Sequence, residues 1–125
     1  MPITSSIDNE KQLTIHTAMG EVSFEDGMTT LRQFWEGQPT INVLWDLRKA
    51  SLARVTSEET EAIMNYIQRH SEKRSGGKTA LVVSGELEYG LSRMSQSLGE
   101  IKNLSLQMEV FRSFKKAMQW LGDET

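Results

Sequence analysis

The chain has 125 residues, a formal net charge of −3, 38% hydrophobic and 25% charged residues, and no cysteine. That size suits one core, and the composition is too apolar for a disordered chain and too aperiodic for a coiled coil or a collagen-like protein. The missing cysteine excludes disulfides, thiolate catalysis and Cys-ligated zinc or iron–sulfur sites, and the acidic balance disfavours general binding to nucleic acid or an anionic membrane.

Residues 3–7 read as a short extended segment and residues 8–11 as a polar turn. Leu13, Ile15 and Thr17 then alternate with Thr14 and His16, a period of two that argues a strand and an opening β-hairpin closed by Gly20. Ser23 can cap a helix whose first turn carries Glu25 and Asp26, and Phe24, Met28, Leu31 and Trp35 form its apolar stripe. The stripe ends near Gly37 and Pro39.

Residues 41–47 are nearly all apolar, as in a strand covered on both faces. A second helix opens at Thr56 or Ser57, with Ala62, Ile63, Tyr66 and Ile67 as its expected buried face. Arg69, Lys73 and Arg74 place positive charge towards its end, where it suits the helix dipole. Residues 79–83 are another strand. Leu87, Leu91, Met94, Leu98 and Ile101 recur in steps of four and three, the pattern of an amphipathic helix. Leu104, Leu106, Met108 and Val110 alternate as a last strand, and Phe114, Ala117, Met118 and Leu121 mark a short final helix.

The order β-β-α-β-α-β-α-β-α predicts one α/β domain over residues 1–125: a mixed, mostly parallel sheet of four or five strands, an antiparallel edge strand and about four helices. No stretch is long and apolar enough to span a bilayer, and residues 1–20 lack the charged lead and apolar run of a secretory signal. The expectation is a cytoplasmic protein without integral membrane association.

Catalytic and metal motifs fail on their context. Gly76-Gly77-Lys78-Thr79 ends like a phosphate-binding loop, but the glycine that should open such a loop is replaced by Glu72. The segment also follows a helix and opens a strand, the reverse of what phosphate binding needs. His16 and His70 lack the spacing of metal ligands, and Ser84-Gly85 is only half of a nucleophile elbow. The reading is therefore of a non-enzyme with no cofactor and no metal.

Three features suggest binding instead. Tyr89 and Arg93 share the helix face opposite the apolar stripe, where tyrosine and arginine can grip a partner or an anion. Gly90 beside them costs about 1 kcal/mol relative to alanine, which close helix–sheet packing explains. Asp46 and Arg48 are expected at the C-terminal end of the central strand, where open α/β sheets hold ligands. Trp120 falls beside the stripe of the last helix, as a partly exposed cover or an interface anchor, whereas Trp35 and Trp45 read as packing.

Residues 43–48 after the first crossover, residues 87–94 opening the third helix, and Phe111-Arg112 leading into residues 117–121 together resemble the bacterial STAS-like family often described as SpoIIAA-like. The Gly20-Glu21-Val22 step after the opening strand pair fits the same pattern. The resemblance covers nearly the whole chain. It implies a four- or five-stranded sheet packed with helices, in a fold shared by anti-sigma-factor antagonists and related to lipid-binding CRAL-TRIO domains, and it does not imply an enzyme. Antagonists of that type switch by phosphorylation of a serine in an Asp-Ser step, which residues 51–57 lack. Thr56 and Ser57 here read as helix caps.

Two functions follow as expectations. The first is a regulatory module that docks a protein partner or a second copy of itself through the Tyr89/Arg93 face. The second is a carrier or sensor of a small apolar ligand or lipid, with Met19, Met28, Met64, Met94, Met108 and Met118 either lining a cavity or filling the core.

Overall fold

The computed structural model describes residues 2–122. Strand β1 (Ile3–Asp8) turns back into β2 (Leu13–Glu21), and α1 (Phe24–Glu36) leads to β3 (Asn42–Ser51). Helix α2 (Ser57–His70) ends in a 3₁₀ turn (Ser71–Arg74) before β4 (Lys78–Val82). Then come α3 (Glu86–Ile101), β5 (Gln107–Phe111) and α4 (Phe114–Trp120). The five strands lie in the order β1-β2-β3-β4-β5, with β1 antiparallel at one edge and the other pairs parallel. The expected α/β class, edge strand and helix number hold.

The helix starts follow from local chemistry. Ser23 and Asp26 form a reciprocal capping box at α1, and Thr56 and Glu59 form another at α2. Each box satisfies two N–H groups that a helix start leaves without intrahelical partners.

Each parallel crossover steps one strand in the same direction, and right-handed crossovers then place α1, α2 and α3 on one face of the sheet. Strand alternation divides the core accordingly. Leu44, Ala80 and Val82 pack towards α4 with Ala117 and Leu121. Trp45 packs towards α1 and α2 with Leu31, Trp35 and Tyr66.

The structure revises several boundaries and faces. β2 continues through Gly20, and its pairing of Gly20 with Ala50 and Glu21 with Ser51 extends β3 to Ser51. Asp46 and Arg48 therefore lie inside β3, not at its end. Ala62 is exposed, and α2 buries Thr60 and Met64 with Tyr66. Leu104 and Leu106 lie before β5, in the loop.

Helix α3 departs furthest from its pattern. Its buried residues are Glu88, Ser92 and Gly99, while Leu87 is 50% and Ile101 76% exposed. The ends of the apolar stripe are therefore exposed, while Leu91, Met94 and Leu98 between them are half-buried. Small side chains and glycine let α3 settle close to its neighbours: a Cβ at Gly99 would stand 3.2 Å from Leu104 Cδ1 and 3.5 Å from Met108 Sδ. Gly90 meets nothing within 4 Å, so close packing does not account for it. The Gly77 backbone approaches the Ile41 carbonyl too closely to admit a Cβ, which explains the glycine in the Gly-Lys-Thr segment without a phosphate.

Candidate functional site

Between the sheet and helices α1, α2 and α3 lies a cavity of about 140 Å³. Phe34, Trp45, Met64, Leu81 and Leu91 give it largely apolar walls. Among its polar members, His16 and Arg74 are each only 2% exposed.

His16 reaches the cavity because β2 alternates Leu13 and Ile15 towards α4 with Thr14, His16 and Ala18 towards the helical layer. Three elements fix its ring. Ser5, its cross-strand neighbour on β1, places Oγ 2.7 Å from Nδ1. Trp45, opposite on β3, tilts against it at 4.3 Å, and Phe34 of α1 meets it edge-on at 5.5 Å. Nε2 is buried without a hydrogen-bond partner. Burial, and secondarily the charge of Arg74, lower the His16 pKa to about 4, so the ring is neutral at physiological pH.

Arg74 follows α2 and turns inward. Its Nε and Nη2 donate to the Ile41 carbonyl at 3.2 and 2.9 Å, Nη2 also donates to Lys78 O at 2.8 Å, and Nη1 donates to Thr79 Oγ1 at 2.8 Å. The guanidinium lies 5.7 Å from the centre of the Phe34 ring and 5.5 Å from that of Trp35. Burial lowers its pKa to about 10, which leaves it cationic at neutral pH. All its acceptors are neutral oxygens, and among the described residues no carboxylate forms an ion pair with it. Sequence reading expects Arg74 as positive charge suiting the helix dipole; buried in the turn after α2, it ties that end of the helix to Ile41, Lys78 and Thr79.

The five residues singled out from sequence fall in three other places, and none lines the cavity. Arg48 grips Asp46 with Nε–Oδ1 and Nη2–Oδ2 distances of 2.9 Å and stacks 4.9 Å over Phe114, on the α4 side of the sheet. The Arg48 hydrogen bonds hold the Asp46 carboxyl below its ordinary range. Tyr89 is covered by Arg112, whose guanidinium lies 4.3 Å above its ring, while Arg93 Nη1 donates to its hydroxyl at 3.2 Å. Trp120 packs against Phe111 at 5.6 Å, and Lys78 Nζ donates to its carbonyl. Of the six methionines, only Met64 and Met108 line the cavity, and Met19 is 56% exposed.

Sequence reading missed His16 and Arg74 for identifiable reasons. Alternation placed His16 on the face opposite Leu13 and Ile15 but gave no sign that this face is covered too. Arg74 looked like a basic helix end. The available signal was a lone histidine between apolar and threonine positions in a strand crossing the centre of an α/β sheet.

Among the described residues, no cluster of three His, Asp or Glu side chains could hold a metal ion. No helix among them is long and apolar enough to cross a membrane.

A sheet with one antiparallel edge, three crossover helices on one face and a terminal helix on the other defines the class: this chain has a SpoIIAA-like fold. The crystal structure of an uncharacterized protein from the DUF3478 family with a SpoIIAA-like fold, from Shewanella loihica PV-4, matches 95% of this chain and 91% of its own length. Its TM-score is 0.57 and its sequence identity 17%, a likeness of fold alone. No family model and no curated protein matches the chain.

Proposed function

We propose that this protein is a non-catalytic binding module that holds a small apolar ligand between its sheet and helices α1–α3. The observation that carries this reading is the cavity of about 140 Å³ with mostly apolar walls. Native cores leave few voids larger than a water molecule, and an engineered apolar cavity of about 150 Å³ in another protein stays dry and binds benzene. Fold does not supply function, so the argument rests on the site and not on the SpoIIAA-like topology. The test is native mass spectrometry followed by denaturing mass spectrometry of the same sample. A co-purified mass lost on unfolding supports an enclosed ligand. A bare chain that also takes up no toluene contradicts it.

A second reading, a docking module, draws on Leu87 and Ile101 of α3, two large apolar side chains that stand exposed near either end of the helix. The occupant it implies is a second copy of this chain, because exposed apolar side chains on one helix can meet their own copies across a two-fold axis. A dimer by sedimentation velocity that dissociates in Ile101→Glu supports it, and a concentration-independent monomer contradicts it.

A further inference from the structure

The polar members of the cavity specify the ligand's chemistry. His16 Nε2 is buried and unpartnered although the ring is clamped by Ser5, Trp45 and Phe34. Buried polar atoms are nearly always satisfied, so an orphan on a residue that lines the cavity calls for a partner, which a ligand atom can supply. Arg74 packs on the same Phe34 ring that His16 meets edge-on. Its four hydrogen bonds to neutral oxygens use four of the five guanidinium N–H groups, leaving one on Nη1. A buried cation without a counter-charge is costly, and an anion beside it offsets that cost.

We propose, building on the cavity reading above, that the ligand is a small monocarboxylic acid of about benzoate size, its carboxylate between His16 Nε2 and Arg74 Nη1 and its apolar body against Trp45, Met64 and Leu91. A carboxylate at Nε2 selects the tautomer with the proton on Nε2, and Ser5 then donates to Nδ1. The guanidinium supplies the charge and the imidazole a second, directed donor. The limit on size comes from the volume, since a cavity near 150 Å³ accommodates one benzene ring.

The test titrates the full-length protein, stripped of any co-purified ligand, with benzoate, benzamide, toluene and dodecanoate, followed by NMR with the ring nitrogens of His16 labelled. Benzoate binds at least about tenfold more tightly than benzamide or toluene, because charge-assisted hydrogen bonds are the stronger ones. The His16 nitrogen resonances move with benzoate and not with toluene. His16→Phe weakens benzoate by about tenfold more than it weakens toluene. Toluene or benzamide binding as well as benzoate, or benzoate binding without a shift at His16, overturns the acid assignment while leaving the apolar cavity standing. Dodecanoate binding more tightly than benzoate overturns the size assignment. If none of the four ligands binds, both this inference and the cavity reading fall.

Discussion

His16 and Trp45 face each other across the β2–β3 pair with ring centroids 4.3 Å apart and planes tilted by 41°. Parallel pairing fixes this contact, because matching positions on the two strands point to the same face. It places a neutral imidazole in the wall of an apolar cavity, and the orphaned Nε2 is the consequence.

That burial makes stability depend on pH. The folded pKa of His16, about 4, lies below the ordinary histidine value of 6.5, so the unfolded chain binds more protons between those limits. Stability therefore falls as pH drops from about 6.5 towards 4, by up to about 3 kcal/mol. Asp46 is depressed below 3.8, so its contribution is lost only at lower pH and leaves this window clear. Urea denaturation at several pH values checks the slope, which His16→Phe should largely remove.

The two glycines of α3 separate propensity from packing. Gly90→Ala should stabilise the protein by about 0.5–1 kcal/mol, since nothing stands within 4 Å of the new methyl. Gly99→Ala should gain less, because Leu104 must yield. Chemical denaturation of both variants compares them directly. An equal gain would contradict the close approach at Gly99.

Arg74→Met removes the donors that serve the Ile41 and Lys78 carbonyls and Thr79. The expected loss is about 3 kcal/mol, from buried acceptors left without partners. Arg74→Lys should recover little of it, since an ammonium cannot reproduce the planar fork. Denaturation midpoints of the two variants decide the point.

The Asp46–Arg48 pair is locally well formed but Arg48 is exposed. Asp46→Asn should cost about 1 kcal/mol or less and leave ligand uptake unchanged, because the pair lies on the α4 side of the sheet. Uptake that disappears in this variant would move the site away from the cavity.

The strands, the capped helix starts and the single antiparallel edge were legible because local chemistry dictates them: alternation in Leu13–Thr17, Ser23 and Thr56 as caps, and continuous apolar runs around Leu44 and Leu81. The α3 stripe misled because periodicity identifies a helix and its apolar face, not which face meets the sheet. Here the ends of the stripe, Leu87 and Ile101, lie exposed, and Glu88, Ser92 and Gly99 are the buried positions. Asp46, Arg48, Tyr89, Arg93 and Trp120 drew attention as chemistry-bearing types, yet local partners occupy them: Asp46 with Arg48, Tyr89 with Arg93 and Arg112, Trp120 with Lys78 and Phe111. His16 and Arg74 meet only when the chain folds, around Phe34, and no spacing in the sequence joins residues 16, 34 and 74.

The most direct measurement is a crystal structure under xenon pressure. A xenon atom bound among Trp45, Met64 and Leu91 is the predicted result. Continuous side-chain density there, with no xenon between the sheet and α1–α3, would contradict the cavity and the function drawn from it.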